Sequence, residues 1–77
     1  MFMNKPIIYS TPTCTYCHTL KNWFKTNQIE YQERIVGVDI LSDEFVELTG
    51  QMGVPVTEVN GKFVVGFNPD AIQKLLS

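Results

Sequence analysis

The sequence predicts an α/β fold, a four-stranded mixed sheet with three helices, in the order β-α-β-α-β-β-α. Three observations carry that reading. Ile7-Ile8-Tyr9 is a short run apolar on both faces, as expected of a strand buried centrally in a sheet. Helical stretches flank the strands, so the sheet is covered on both faces and the architecture has three layers. Late in the chain, Asn60-Gly61 stands between two strand-like runs. That dipeptide is a strong hairpin signal, because a type I′ turn needs positive φ at both central positions.

Taken in order, Pro6 to Ser10 reads as the first strand, broken by Thr11-Pro12-Thr13. Pro12 cannot donate to a ladder, and Thr13 is a fair helix cap. A helix from Cys14 to Thr26 follows, with Leu20, Trp23 and Phe24 on its apolar side and Lys21 and Lys25 outside. Asn27-Gln28 ends it, and Ile29 to Val36 reads as a second strand. After a loop over Gly37 to Ile40, Ser42 is a candidate N-cap, with Asp43 and Glu44 in the positive first turn. Leu41, Phe45 and Leu48 form the apolar stripe of that short helix, and Gly50 closes it.

Val54 to Val59 and Lys62 to Val65 are the hairpin strands. Asn68 then caps a last helix with Pro69 at its first position, where a missing N–H costs nothing, and Ile72, Leu75 and Leu76 facing inward. The first β-α-β unit should cross over right-handed and pair its strands in parallel. The loop after the first strand then lies at the carboxyl end of the sheet, where open α/β sheets place their sites. That loop leads into Cys14.

Composition narrows the function. At 77 residues the expectation is one domain over residues 1–77, without linker, repeat or low-complexity segment. A net charge of −2 and six dispersed Lys and Arg residues give little support to nucleic-acid or anionic-membrane binding. No apolar stretch approaches the roughly 20 residues of a membrane span. Met1 to Lys5 is too short for a signal peptide, so a cytoplasmic location is expected. There a C-x-x-C is more often catalytic or metal-binding than structural.

Cys14 and Cys17 are the only cysteines, spaced as Cys14-Thr15-Tyr16-Cys17. Two cysteines placed at random in a chain this long would fall at that spacing about one time in forty. At a helix start, unpaired backbone N–H groups and the macrodipole favour thiolate. Cys14, the more exposed by position, is assigned as the nucleophile. Cys17, a turn deeper and on the same side, is the resolving thiol. Attack by Cys14 on a disulfide gives a mixed disulfide, which Cys17 displaces. His18 follows Cys17 and should project about 100° away around the helix, as a solvated surface residue rather than a base. Tyr16 is too exposed for core and is a candidate substrate contact. Val54-Pro55 begins a strand, an ordinary place for proline.

Together these residues resemble the glutaredoxin family. The resemblance runs through Tyr9-Ser10-x-x-x-Cys14-x-Tyr16-Cys17, Gly53-Val54-Pro55-Val56 and Gly66-Phe67-x-Pro69-Asp70. It implies a thioredoxin-like fold, a cis Val54-Pro55 bond opposite Cys14, and dithiol–disulfide exchange. Thr11, Tyr16, Val54, Pro55, Gly66, Phe67 and Asn68 are the substrate-binding residues expected from it. It further implies no bound cofactor, no metal in the working cycle, and a monomer acting on disulfide-containing proteins. Glutathione is the expected electron donor, with NADPH supplying it indirectly through a reductase.

The chain departs from the family pattern at three places. Thr15 replaces the usual proline after the first cysteine, Thr11 stands where many members carry a lysine for a glutathione carboxylate, and Gly66 is not closely followed by paired aspartates. The Gly-Phe-x-Pro-Asp form looks more like redoxins that thioredoxin reductase reduces and that donate electrons to ribonucleotide reductase. A metallochaperone is the alternative of another class, since two thiolates suit Cu(I). A cluster-bridged dimer is a third possibility that the family permits. Zinc lacks ligands here, because Cys14, Cys17 and His18 make at most three of the four it normally takes.

Overall fold

The computed structural model describes residues 5–76. Its elements are β1 (Ile7–Ser10), α1 (Thr15–Thr26), β2 (Gln32–Ile35), α2 (Ser42–Thr49), β3 (Val56–Val59), β4 (Lys62–Val65) and α3 (Pro69–Leu76). They follow the predicted order. The sheet runs β2-β1-β3-β4, with β1 parallel to β2 and antiparallel to β3, and β3 antiparallel to β4.

Side chains on a strand alternate between faces, so the apolar run of β1 feeds two cores. Ile8 packs with Leu20, Phe24, Val64 and Ile72 beneath α1 and α3. Tyr9 packs with Ile40, Phe45 and Val56 beneath α2. Phe24 meets Trp23 and Tyr31 edge-on, with ring centroids 5.2 and 5.3 Å apart. The hairpin closes as predicted, with φ of 53° at Asn60 and 83° at Gly61.

Several boundaries shift, each for a local reason. β2 starts at Gln32 rather than Ile29, because Ile29 donates its N–H to the Phe24 carbonyl and only Gln32 reaches the Pro6 carbonyl. Ile29 and Tyr31 still pack on the core, from the connection rather than the strand. β3 begins at Val56, since Pro55 has no N–H for the ladder.

Leu41, not Ser42, is the N-cap of α2. Glu44 makes that possible, its carboxylate accepting from the Leu41 N–H at 3.3 Å. The apolar stripe of α2 is also narrower than predicted. Phe45 is buried, whereas Leu41 and Leu48 are exposed, Ile40 having filled the space beside it. Gly50 ends the helix in the left-handed conformation, φ 72°. In α3, Asn68 Oδ1 accepts from the Ala71 N–H at 3.3 Å, the cap expected of it. Among the described residues, no helix is long and apolar enough to cross a membrane.

Candidate active site

Buried β1 ends at Ser10, and the Thr11-Pro12-Thr13 turn lifts the chain out of the sheet. The Cys14 N–H donates back to the Thr11 carbonyl at 3.3 Å, which fixes where α1 begins. Cys14 itself is the N-cap, in extended conformation (φ −88°, ψ 112°), in place of the predicted Thr13. Its sulfur takes the part usually played by a hydroxyl or carboxylate: Cys14 Sγ accepts from the Cys17 N–H at 3.1 Å. A sulfur so placed faces the unpaired N–H groups at the positive helix end, which favours the thiolate once the pair is reduced.

Cys14 and Cys17 form a disulfide, their Cα atoms 5.2 Å apart. Cys17 is fully buried and Cys14 half-buried, so only the first sulfur is open to a partner. Among the described residues, no group of three or more His, Cys, Asp or Glu side chains is arranged to hold a metal.

A cleft of about 340 Å³ is lined by Tyr16, Val54, Pro55, Gly66 and Phe67. Tyr16 comes from the first turn of α1, two residues beyond Cys14. Val54-Pro55 is cis, as the resemblance implied, and stands at the entry to β3. Gly66 reaches Pro55 from the end of β4, its N–H donating to the Pro55 carbonyl at 2.8 Å, and its φ of 79° turns the chain so that Phe67 follows. Five of the seven predicted substrate-binding residues therefore share one surface. Thr11 and Asn68 are not on it: the Thr11 carbonyl holds Cys14, and the Asn68 side chain caps α3.

His18 is exposed, with Nε2 3.4 Å from the Pro12 carbonyl. Lys21 departs from its predicted place outside. It is half-buried, and its Nζ lies 2.9 Å from Glu33 Oε2. The buried Ser10 hydroxyl donates to the same oxygen at 2.6 Å. Sequence reasoning passed over Ser10 and Glu33, since only the parallel pairing of β1 with β2 brings them together. A second cleft of about 610 Å³ lies between α2 and the end of β2, away from the cysteines. Two of its acids serve the backbone, Asp39 accepting from the Ile35 N–H and Glu44 from that of Leu41.

A sequence model of glutaredoxins matches residues 7–64, which include the cysteine pair, the cis-proline element and most of the hairpin. The chain belongs to the glutaredoxin family. It is 40% identical over 70 residues to an uncharacterised glutaredoxin-like 8.6 kDa protein in the rubredoxin operon of Clostridium pasteurianum, covering 90% of this chain and 93% of that one. The crystal structure of a thioredoxin-like protein superposes with a TM-score of 0.81 at 27% identity, covering 94% of this chain and 100% of the other. A buckwheat glutaredoxin, solved as its glutathione complex, superposes with a TM-score of 0.72 at 25% identity. That match covers 92% of this chain and 66% of the buckwheat chain. The glutaredoxin fold and the disulfide-forming pair make this a thiol–disulfide oxidoreductase. Glutaredoxin chemistry needs no bound cofactor, because the two sulfurs carry the electrons.

Proposed function

We propose that this glutaredoxin reduces protein disulfides and glutathione mixed disulfides, with Cys14 attacking and Cys17 resolving. The observation that carries the reading is the asymmetry of the pair: Cys14 is accessible and caps a helix, while Cys17 is fully buried beside it.

In the reduced protein, the Cys14 thiolate attacks one sulfur of a substrate disulfide. The S–S bond of the substrate breaks, one thiolate leaves, and Cys14 is held in a mixed disulfide. Cys17 loses its proton and attacks Cys14 Sγ. The second substrate thiolate leaves, and the Cys14–Cys17 disulfide forms. Two electrons have passed from the dithiol to the substrate. Two molecules of glutathione return the pair to the dithiol and leave as oxidised glutathione, which a reductase renews with NADPH.

The extended segment of the partner lies in the cleft between Tyr16 and Phe67, against Val54 and Pro55. That placement is supported by the five residues converging beside α1, and the glutathione bound by the buckwheat relative supports glutathione as a ligand. In this reading the protein works as a monomer, and in the cytoplasm, where a lone C-x-x-C is more often catalytic than structural.

A second reading concerns the donor. Among the described residues, none that lines the cleft is charged, and Thr11 stands where a lysine would meet a glutathione carboxylate. Both features weaken the case for glutathione, and the Gly66-Phe67-x-Pro69-Asp70 form, which resembles that of redoxins, supports thioredoxin reductase as the donor and ribonucleotide reductase as an acceptor. One experiment addresses thiol roles and donor together. The oxidised protein is offered either glutathione with its reductase or thioredoxin reductase, each with NADPH, and Cys14→Ser and Cys17→Ser are assayed beside the parent. Cys14→Ser is expected to lose all turnover. Cys17→Ser should lose reduction of protein disulfides and keep removal of glutathione. Retained disulfide reductase activity in Cys14→Ser would falsify the assignment, and rapid turnover with thioredoxin reductase alone selects the second donor.

A further inference from the structure

Two lysines lie on the cysteine helix, and the fold treats them differently. Lys25 is exposed, whereas the Lys21 side chain is only 19% exposed and is held by Glu33. Lys21 follows Cys17 by four residues, and side chains at that spacing are neighbours on one helix face, with Cβ atoms about 5–6 Å apart. Seven residues separate it from Cys14, close to two full turns, so all three side chains fall on one side of α1. The lysine charge therefore belongs to the electrostatic surroundings of both sulfurs.

Glu33 reaches Lys21 from β2, and its carboxylate is met by two elements. Lys21 and the more distant His18 face it from α1, and the Ser10 hydroxyl faces it from the end of β1. The hydrogen bond from Lys21, then that from Ser10, holds its carboxyl below the ordinary carboxylate range. Glu33 is thus an anion at neutral pH, and the pair is ionic.

A free lysine here would add to the field of the helix end and drive the Cys14 thiol further down. That is no simple advantage, because nucleophilicity falls with thiol pKa and the best attacking thiol has a pKa near ambient pH. We propose that Lys21 and Glu33 are positioning residues that tune Cys14. Glu33 cancels the lysine charge on the cysteine side of α1, and Ser10 fixes the carboxylate where it does so. The inference rests on Cys14 being the attacking thiol.

Its test reads thiolate formation rather than turnover. The reduced protein is alkylated with iodoacetamide across a range of pH, and peptide mapping reports which cysteine reacts. Glu33→Gln keeps an acceptor oxygen and frees the lysine charge; Lys21→Met keeps the apolar stem and frees the carboxylate. The Cys14 midpoint is expected to fall in the first and rise in the second, each by about half a pH unit for a unit charge roughly 10 Å away through a wet interface. In the double variant it should return close to the parent value. A purely structural role moves both single variants the same way or neither, and either result overturns the inference while leaving Cys14 as the nucleophile. Alkylation of Cys17 before Cys14 in the parent would instead remove the assignment beneath it.

Discussion

Tyr9 shows how a residue of the first strand serves more than packing. Its ring is buried against Phe45 at 5.5 Å, the Arg34 guanidinium lies 5.9 Å from the ring centroid, and its hydroxyl donates to Glu58 Oε1 at 3.0 Å. Burial, and then the hydrogen bond to Glu58, raises the Tyr9 pKa above its ordinary 10.0. A raised folded-state pKa means that the folded chain keeps a proton the unfolded chain releases. The stability this provides is full below pH 10 and is lost as the pH rises through the folded value. Tyr9→Phe should therefore cost about 1 kcal/mol at pH 7, the worth of a typical hydrogen bond. That gap should narrow above pH 10, where only the parent pays to keep the phenol neutral. Urea unfolding of the oxidised protein, followed by the fluorescence of Trp23, measures both; a gap constant across pH 7 to 11 would refute the linkage.

At the scale of elements, α2 is anchored through a single side chain. Phe45 is its one buried residue, seated against Tyr9, Ile40 and Val56. Phe45→Ala should destabilise the protein by about 3 kcal/mol or more, a large share of the stability of so small a domain. Because α2 covers the face of the sheet opposite α1, Cys14 should keep its alkylation rate at urea concentrations below the transition. The same helix shows where sequence reading stops. Its Leu41, Phe45, Leu48 periodicity correctly marks a helix, but periodicity cannot tell how many of those residues the sheet has room for. Ser42 looks like a cap by residue type, yet Glu44 caps one residue earlier through its side chain. The Asn60-Gly61 turn, by contrast, was legible in two residues, because the constraint on φ is local and nothing distant alters it.

Over the whole molecule the candidate site divides along the same line. The Cys14/Cys17 pair and its place at a strand-to-helix turn follow from residues within one short segment. The cleft joins residue 16 to residues 54–55 and 66–67, which only the sheet order β2-β1-β3-β4 makes neighbours, and only the family resemblance anticipated it. The Lys21–Glu33–Ser10 contact, which no local pattern announces, had no such guide.

The cleft makes a separable prediction. Tyr16 and Phe67 stand on its two banks, 67% and 41% exposed, so neither supports the core. Tyr16→Ala and Phe67→Ala should each leave stability within about 0.5 kcal/mol of the parent, as surface changes do. Each should raise KM for a disulfide peptide about fivefold, roughly 1 kcal/mol of lost contact, with kcat little changed because the sulfurs are untouched. Met52 is 89% exposed and does not line the cleft, so Met52→Ala is the control for a general loss of apolar surface. Steady-state kinetics with one peptide substrate compares all three. If Met52→Ala raised KM as much as the other two, binding would depend on exposed apolar area at large. Only a rise confined to Tyr16 and Phe67 ties substrate to the groove beside Cys14, where a bound disulfide meets the one accessible sulfur of the pair.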